Sequence, residues 1–435
     1  MQKILLFIAS LFYFNSLFAK DEIKSWQGIH ETPLSRLEQQ FADPPVEFAN
    51  HVIWGWEGKM DKKTICNDLD SIKKKGFRAI IFEAGYKLPF KYLSEEWFKA
   101  IRTGVLEAKK RGMKVWIIDE GKYPSGFAGG KFSQERPDLR MQALVIGDTI
   151  QIKRGEVMTN HKIAPEIISA VAVSTSGAPN RTVAINNGEI SFNAGLDDWK
   201  ILLVKSDFRT AVTRAVNNPN GGKDATNSLC DYLNPVAVQQ FIDWTHEQYK
   251  KYLGKELGTT VLGFRGDEPD YAHLPWTPSI VQTFKDTKGY DPTPYLASFF
   301  TTSPTIQEQR VKADYWDVWS SLFATHFFKL QADWCAANGV AHITHLNKEH
   351  EMPACVKAEG DYFRNLSKVQ IPGVDAIWNQ IWPGTLNDFP KLASSVAHVY
   401  GKPRAFSESF AAYHISPTIP QAKFVVDHQI ARGIN

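Results

Sequence analysis

The stretch TVLGFRGDEPDY, residues 260–271, indicates which fold this chain adopts. It is a short apolar run that ends in two adjacent carboxylates, Asp267 and Glu268, and then enters a loop marked by proline. A short apolar run of this kind is typical of a buried strand. Carboxylates at the C-terminal end of such a strand lie where a (β/α) barrel places its catalytic groups.

The same arrangement recurs along the chain. Five further apolar runs end in an acid and a polar loop: FRAIIFEAGY (77–86, Glu83), MKVWIIDEGKYPSGF (113–127, Asp119 and Glu120), AHITHLNKEHE (341–351, Glu349 and Glu351), PGVDAIWNQIW (372–382, Asp375) and PRAFSESFAAY (403–413, Glu408). Most of these runs are separated by stretches with helical periodicity. Buried strands that alternate with helices favour a parallel sheet, so we expect an α/β chain with a (β/α)8 TIM-barrel-type catalytic domain.

The spacing of the runs also predicts an insertion. The distance from Glu120 to Glu268 is much longer than one βα repeat, and the stretch between them is rich in short β-type runs and turn signals. The predicted segments are a first barrel part at 21–138, an inserted antiparallel β subdomain at 139–228 and a second barrel part at 229–435. The insertion either walls the substrate cleft or is a passive decoration. Seven barrel strands are countable, starting with HVIWGWEG at 51–58, so we expect a barrel that lacks its eighth strand.

The N-terminus predicts export. The first residues, MQKILLFIASLFYFNSLFAK (1–20), combine a basic start, a short apolar stretch and a small residue, Ala19. This pattern is typical of a secretory signal peptide, and the apolar stretch is too short for a comfortable membrane span. We therefore expect a periplasmic or secreted protein with no membrane span after signal cleavage. Four cysteines without metal-binding spacing are either disulfide partners or buried thiols: Cys66, Cys230, Cys335 and Cys355.

The composition of the chain indicates which classes of partner it can bind. A net charge of +3, spread along the chain, gives no electrostatic support for nucleic-acid binding. The chain has 13 tryptophans, and several of them lie at strand ends, where they either fill the core or stack on sugar rings. Trp54 and Trp56 alternate on the first strand and point the same way, so they form the floor of a sugar site or fill the barrel. Trp378 follows the sixth strand and is a third candidate for substrate binding.

The strand-end acids predict glycoside hydrolysis, which requires two carboxyl groups that flank the scissile bond. Glu268 suits the proton donor, because the neighbouring charge of Asp267 raises the pKa of its carboxyl. Glu408 lies on the seventh strand, across the predicted barrel mouth. These two residues are our predicted catalytic pair, and we also assign Asp267 to substrate binding.

Other rim residues are predicted to bind the sugar. The loop DEGKYPSGF brings Asp119, Glu120 and Tyr123 to the same rim, where they contact substrate hydroxyls or form a rigid loop in which Asp119 accepts backbone N–H bonds. His345 is a further candidate substrate contact. It is also part of the cluster HLNKEHE, which matches no zinc motif; an oxygen-rich rim would favour calcium as a possible cofactor.

The order of several short motifs resembles glycoside hydrolase family 106, the α-L-rhamnosidase family and its relatives, over roughly 45–435 apart from the insertion. The motifs are WGWEG (54–58), DEGKYPSGFAGG (119–130), DEP (267–269), PWTP (275–278), ITHLNKE (343–349), IPGVDAIW (371–378) and ASSVAHVYGKPRAFSESFAAY (393–413). The resemblance implies a (β/α)8-type domain followed by β-sandwich domains, export by polysaccharide-degrading bacteria, inversion at the sugar and, in some members, bound calcium. It also implies that Glu268 is the general acid, Glu408 the general base and Glu349 a second candidate for base or ligand.

We therefore expect an exported glycosidase that cleaves terminal sugars, with α-L-rhamnose as the expected one, from plant or host glycans. An inverting mechanism would place the two carboxyls ~6.5–9.5 Å apart. One alternative is an inactive or carbohydrate-binding truncated homologue without turnover. Another is a metal-dependent hydrolase that uses His345, Glu349 and His350.

Overall fold

A computed structural model gives the architecture of most of the chain. It describes residues 33–48, 50–121, 123–210, 213–214, 223–224, 228–271, 274–385, 387–413 and 417–435. The predicted signal peptide at 1–20 lies outside the described residues.

The first part of the chain forms three βα units. Its elements are α1 (Leu37–Ala42), β1 (His51–Trp56), α2 (Lys62–Lys74), β2 (Ala79–Ala84), α3 (Glu95–Lys110), β3 (Lys114–Ile118) and α4 (Lys131–Glu135). Ser94 caps α3, since its hydroxyl accepts a hydrogen bond from the Trp97 amide.

Antiparallel strands follow, where the sequence predicts an insertion. They are β4 (Gln142–Ile152), β5 (Val157–Lys162), β6 (Ile167–Ser174), β7 (Arg181–Thr182), β8 (Ile185–Asn186), β9 (Glu189–Asn193), β10 (Trp199–Phe208), β11 (Thr213–Arg214) and β12 (Lys223–Asp224). Their pairing is antiparallel throughout. The limits of a separate subdomain at 139–228 stay a prediction.

The rest of the chain returns to alternating helices and strands. Its elements are α5 (Pro235–Trp244), α6 (His246–Leu253), β13 (Val261–Asp267), β14 (Pro275–Trp276), α7 (Ile280–Lys288), α8 (Ile306–Leu322), α9 (Lys329–Ala337), β15 (Ala341–His345), α10 (Met352–Glu359), α11 (Tyr362–Leu366), β16 (Ile371–Ala376), α12 (Lys391–Val399), β17 (Phe406–Ser409) and α13 (Ile419–Ile430). A π-helical segment, Phe323–Phe328, joins α8 to α9.

The seven predicted barrel strands form one parallel sheet. Their order, β1-β2-β3-β13-β15-β16-β17, follows the chain, and the helices between them supply the crossovers that parallel strands need. A second sheet of order β14-β4-β10-β6-β7 contains the long inserted strands, and β5-β9-β8 forms a third. The fold is therefore an α/β fold with a half-barrel parallel sheet and antiparallel sheets.

The two faces of the parallel sheet bury different residues. Phe82 and Trp56 pack with Trp97 and Ile101 of α3 on the helix side. Ile81, the strand neighbour of Phe82, points to the inner side because successive side chains of a strand alternate. The inner cluster also contains Trp116, Ile118, Leu262, Ala341, Ile343 and Ile371. Acids at the inner-facing strand ends therefore converge above this cluster.

The strand-1 tryptophans fill the core. Trp56 is fully buried, and its ring contacts Trp54, Phe82 and Trp97 on the helix side of the sheet. The prediction that Trp54 and Trp56 bind sugar is therefore wrong. Alternation placed them on one common face, but which face that is depends on the packing of α3 against the sheet.

The four cysteines are free thiols, and three of them are buried. Among the described residues, no helix is both long enough and apolar enough to cross a membrane.

Candidate active site

The candidate site lies at the C-terminal ends of β13, β15, β16 and β17, which are neighbours in the sheet. Arg265 and Asp267 are two residues apart on β13, so both side chains point to the same face. Asp375 and Glu408 are register partners on β16 and β17. The parallel register brings these charged groups together, although they are far apart in sequence.

A buried arginine lies at the centre. The Nη2 atom of Arg265 lies 3.3 Å from Asp267 Oδ1 and 2.7 Å from His345 Nε2, and it also donates a hydrogen bond to Glu408 Oε2. The arginine side chain is 2% exposed. The carboxylates of Asp267 and Glu408 therefore compensate a charge that water does not reach.

Glu408 is held in its ionised form. Burial on its own would raise the pKa of this carboxyl, but the charge of the Arg265 guanidinium lowers the pKa by more. His345 Nε2 lies 3.3 Å from Glu408 Oε2. An ionised carboxylate in this position can accept a proton from water.

Glu268 is held in its protonated form. Burial is the main reason that its pKa lies well above the ordinary value, and the charge of Asp267 raises it further. Its carboxyl shares a hydrogen bond with Asp375. Burial likewise raises the pKa of Asp375, to about 7. Glu268 has a left-handed backbone with φ of +38°, a strained conformation of the kind that clusters at functional sites.

The protonation of His345 follows from its hydrogen-bond geometry. Its Nδ1 lies 3.0 Å from the carbonyl oxygen of Leu346, to which it donates, so Nε2 is left to accept from Arg265 in the neutral ring. The carboxylates of Asp267 and Glu408 raise the pKa of His345 by more than burial lowers it, but a charged ring would direct a second donor at the Arg265 guanidinium. We assign the neutral ring, because the 2.7 Å approach of a guanidinium requires an acceptor.

Glu349 lies below the open part of the site. It is 2% exposed, and its Oε1 atom accepts hydrogen bonds from the amides of Leu346 and Asp375. Burial raises its pKa to about 8. These contacts tie the end of β15 to β16, and they leave Glu408 better placed than Glu349 to act as a base.

The loop after β3 is anchored by its own acids. Both oxygens of Glu120 accept backbone hydrogen bonds, from the amides of Gly121, Ala128 and Gly129. Asp119 accepts a hydrogen bond from the Ser125 hydroxyl at 2.7 Å. Burial raises the pKa of Asp119 to about 7 and that of Glu120 to about 8.

The prediction that these two acids contact substrate is wrong, because both are buried. The rigid-loop alternative describes the structure, with Glu120 rather than Asp119 as the acceptor of the backbone amides. The sequence left this undecided because the loop's path back to the strand end is a tertiary feature.

The two other aromatic residues predicted to bind substrate, Trp378 and Tyr123, lie in loops that follow strand ends. Trp378 follows β16 and is 57% exposed. The Tyr123 hydroxyl accepts a hydrogen bond from Asn347 Nδ2 at 3.3 Å. Burial raises the pKa of Tyr123, and the charge of Asp270 raises it further. Contact of Trp378 and Tyr123 with substrate stays a prediction.

Sequence reasoning missed Arg265 as a site residue and assigned no role to Asp375. A signal for Arg265 was present, since it is a lone charge inside an otherwise apolar run, TVLGFRGDEP. Buried charges are rare unless they are paired. Asp375 carried no comparable signal, because its pairing with Glu268 joins two strands that are not adjacent in sequence.

A metal centre of His345, Glu349 and His350 is not formed. His350 turns outward, where its Nδ1 lies 3.0 Å from Gln380 Nε2. In the described residues, two sets of side chains lie close enough to share a cation: Asp267, His345 and Glu408, and Glu268, His345 and Asp375. Calcium takes about six to eight oxygen ligands. Each set offers two carboxylates and a nitrogen that already contacts Arg265, so the residues present do not fit calcium.

Residues 160–435, well over half of the chain, match the α-L-rhamnosidase family, glycoside hydrolase family 106. The chain belongs to this family. A solved rhamnosidase from Novosphingobium sp. PP1Y has a similar fold, with a TM-score of 0.68 and 15% identity over 93% of this chain and 56% of its own. A Formosa agariphila protein named "Putative beta-glucuronidase" is 24% identical over 92% of this chain. The family 106 chain spans only 37% of that relative's length.

Proposed function

We propose that this family 106 chain carries the catalytic site of an exported, inverting glycoside hydrolase that removes terminal α-L-rhamnose from glycans. Glu268 is the general acid and Glu408 the general base. The observation that carries the proposal is the difference in surroundings of the two carboxyls: Arg265 contacts Glu408 and lowers its pKa, whereas burial and the charge of Asp267 raise the pKa of Glu268. Pairs of carboxyls driven apart in this way mark an acid and a base.

The proposed reaction divides between these residues. Glu268 protonates the glycosidic oxygen as the bond breaks, and Glu408 removes a proton from the water that attacks the anomeric carbon from the opposite face. Asp375 shares a hydrogen bond with Glu268 and so orients the acid. Trp378 and Tyr123 lie in loops after strand ends, where a sugar ring and its hydroxyls would contact them.

In the described residues β1 and β17 are the outer strands of the parallel sheet, and a strand between them would close a barrel. The predicted signal peptide at 1–20 supports export.

The test compares wild type with Glu268→Gln and Glu408→Gln on aryl α-L-rhamnosides, in the full-length protein. We expect Glu408→Gln to lose at least about 10²-fold in kcat on these substrates, and Glu268→Gln to lose as much on those whose leaving group needs a proton. NMR of the first product should show inverted anomeric configuration. Full turnover in both variants would refute the assignment. Sugar binding by calorimetry without product from wild type would favour the alternative of a binding protein.

A uronic acid is the second candidate sugar, which the name of the Formosa relative suggests. An aryl β-glucuronide in the same assay separates the two candidates. A kcat/KM higher for the glucuronide than for the rhamnoside would change the substrate and keep the pair of carboxyls.

A further inference from the structure

The guanidinium of Arg265 lies where the acids of the site converge. It contacts Asp267, His345 and Glu408 at once. These three partners are also one of the two sets of side chains that lie close enough to hold a cation. A cation bound there would compensate the negative charge of the two carboxylates. The side chain of Arg265, on β13, already supplies that positive charge.

This charge is permanent. An arginine side chain stays protonated in proteins. Burial on its own would lower the pKa of Arg265, but Glu408 and Asp267 raise it by more. A carboxylate that is buried without a partner is strongly unfavourable, so Glu408 depends on this guanidinium to stay ionised and in place.

The same charge disfavours a metal ion in the second set. Glu268 and Asp375 share that set with His345, and His345 Nε2 lies 2.7 Å from Arg265 Nη2. A divalent cation in either set would lie against a fixed positive charge. Repulsion between like charges is strong in a buried site, where water does not screen it.

We infer that Arg265 takes the place of a metal ion in this site: it orients Glu408 and compensates its charge, and neither set of side chains binds a divalent cation. Arg265 is thus a positioning residue that acts through Glu408. The role of Glu408 as a base rests on the function proposed above, whereas the statement about cation binding does not.

The first experiment titrates the full-length protein, after treatment with a chelator, with calcium chloride in a calorimeter. Wild type is compared with Asp267→Asn, which removes one carboxylate from the first set, and with Asp375→Asn, which removes one from the second. We expect the same heats in all three proteins, whether zero or from a surface site elsewhere. Calcium binding to wild type that either variant loses would overturn the inference. Glu408→Gln and Glu268→Gln serve for the two sets if an aspartate variant does not fold.

The second experiment follows the acid limb of the kcat/KM pH profile, where Glu408 takes up a proton. Arg265→Met removes the charge that lowers the pKa of Glu408, so the limb should move to higher pH by about one unit. Arg265→Lys keeps a charge without the planar fork and should move the limb less. If Arg265→Met does not fold, the shift of Arg265→Lys from wild type decides.

A matched control removes a comparable ion pair away from the site. Arg111 contacts Asp70 at 2.7 Å and Glu107 at 3.0 Å, and Arg111→Met should leave the acid limb in place. An unmoved limb in Arg265→Met and Arg265→Lys would mean that Arg265 is only structural. If wild type hydrolyses no glycoside, the function proposed above fails, and the calorimetry alone still judges cation binding.

Discussion

After β3 the carboxylates of Asp119 and Glu120 accept hydrogen bonds from their own loop, whereas after β13 and on β17 those of Glu268 and Glu408 face groups from other strands. Both regions carry the same sequence pattern, an apolar run that ends in an acid. The difference is what returns to the acid: a glycine-rich loop supplies backbone amides to Glu120, and neighbouring strands supply Arg265 and Asp375 to the other two. We therefore expect catalysis from the acids that charged side chains of other strands contact, and a structural role for the acids that their own loop holds.

The strongest test of this comparison is to neutralise Glu268 of the site, with the same change at Glu120 of the loop after β3 as its match. Glu268→Gln should lower kcat/KM by about 10²–10⁴-fold on a rhamnoside with a poor leaving group, because protonation of the leaving oxygen is lost. The loss should be smaller for an aryl substrate whose leaving group needs no proton. Steady-state kinetics on the two substrates measures the difference. Equal losses on both would contradict the role of Glu268 as an acid.

The pairing of Glu268 with Asp375 predicts a change in pH dependence. Glu268 must hold its proton to act, so kcat/KM falls as the pH rises through the pKa of this pair. Asp375→Asn removes a charge and a hydrogen bond that raise the pKa of Glu268. The basic limb should therefore move to lower pH by about one unit. A pH–rate profile with the basic limb unchanged would show that the pair does not share a proton.

Neutralisation of Glu120, in the loop after β3, should change stability and leave the pH dependence of the reaction unchanged. Glu120→Gln places an amide group against a backbone N–H that now has no acceptor, which should lower the free energy of unfolding by about 1–3 kcal/mol. The basic limb of the pH–rate profile should stay where it is. Urea denaturation and the pH profile together check this. A shifted limb without loss of stability would place Glu120 in the chemistry after all.

The smallest effect concerns the aromatic residues. Trp378 is exposed after β16, so Trp378→Ala should raise KM by about 2–10-fold through the loss of a ring contact with the sugar. Trp54→Phe is the control, since Trp54 packs against the helix side of the sheet, and it should leave KM unchanged. If both variants raise KM equally, the assignment of Trp378 to the sugar site is wrong.

Local patterns were enough for much of the fold. The seven parallel strands and their order could be predicted from short apolar runs separated by helical stretches. A strand that is buried on both faces needs apolar residues along its whole length, so its own residues identify it. The antiparallel strands between β3 and β13 could likewise be predicted, from short β-type runs and turn signals. Trp54 and Trp56 show the limit: periodicity gave them a common face, and the packing of α3 decided that this face is the core.

By itself, the sequence determined that carboxylates lie at strand ends. It also determined that Glu268 and Glu408 belong to different strands, since Glu268 follows β13 and Glu408 lies on β17. Only the tertiary structure decided which acids contact other charged groups and in which protonation state they are held. The physical reason is that a pKa depends on burial and on charges from other strands, and Arg265, His345 and Asp375 reach these acids only through the sheet. The same pairing of strands places the permanently charged guanidinium of Arg265 in the site.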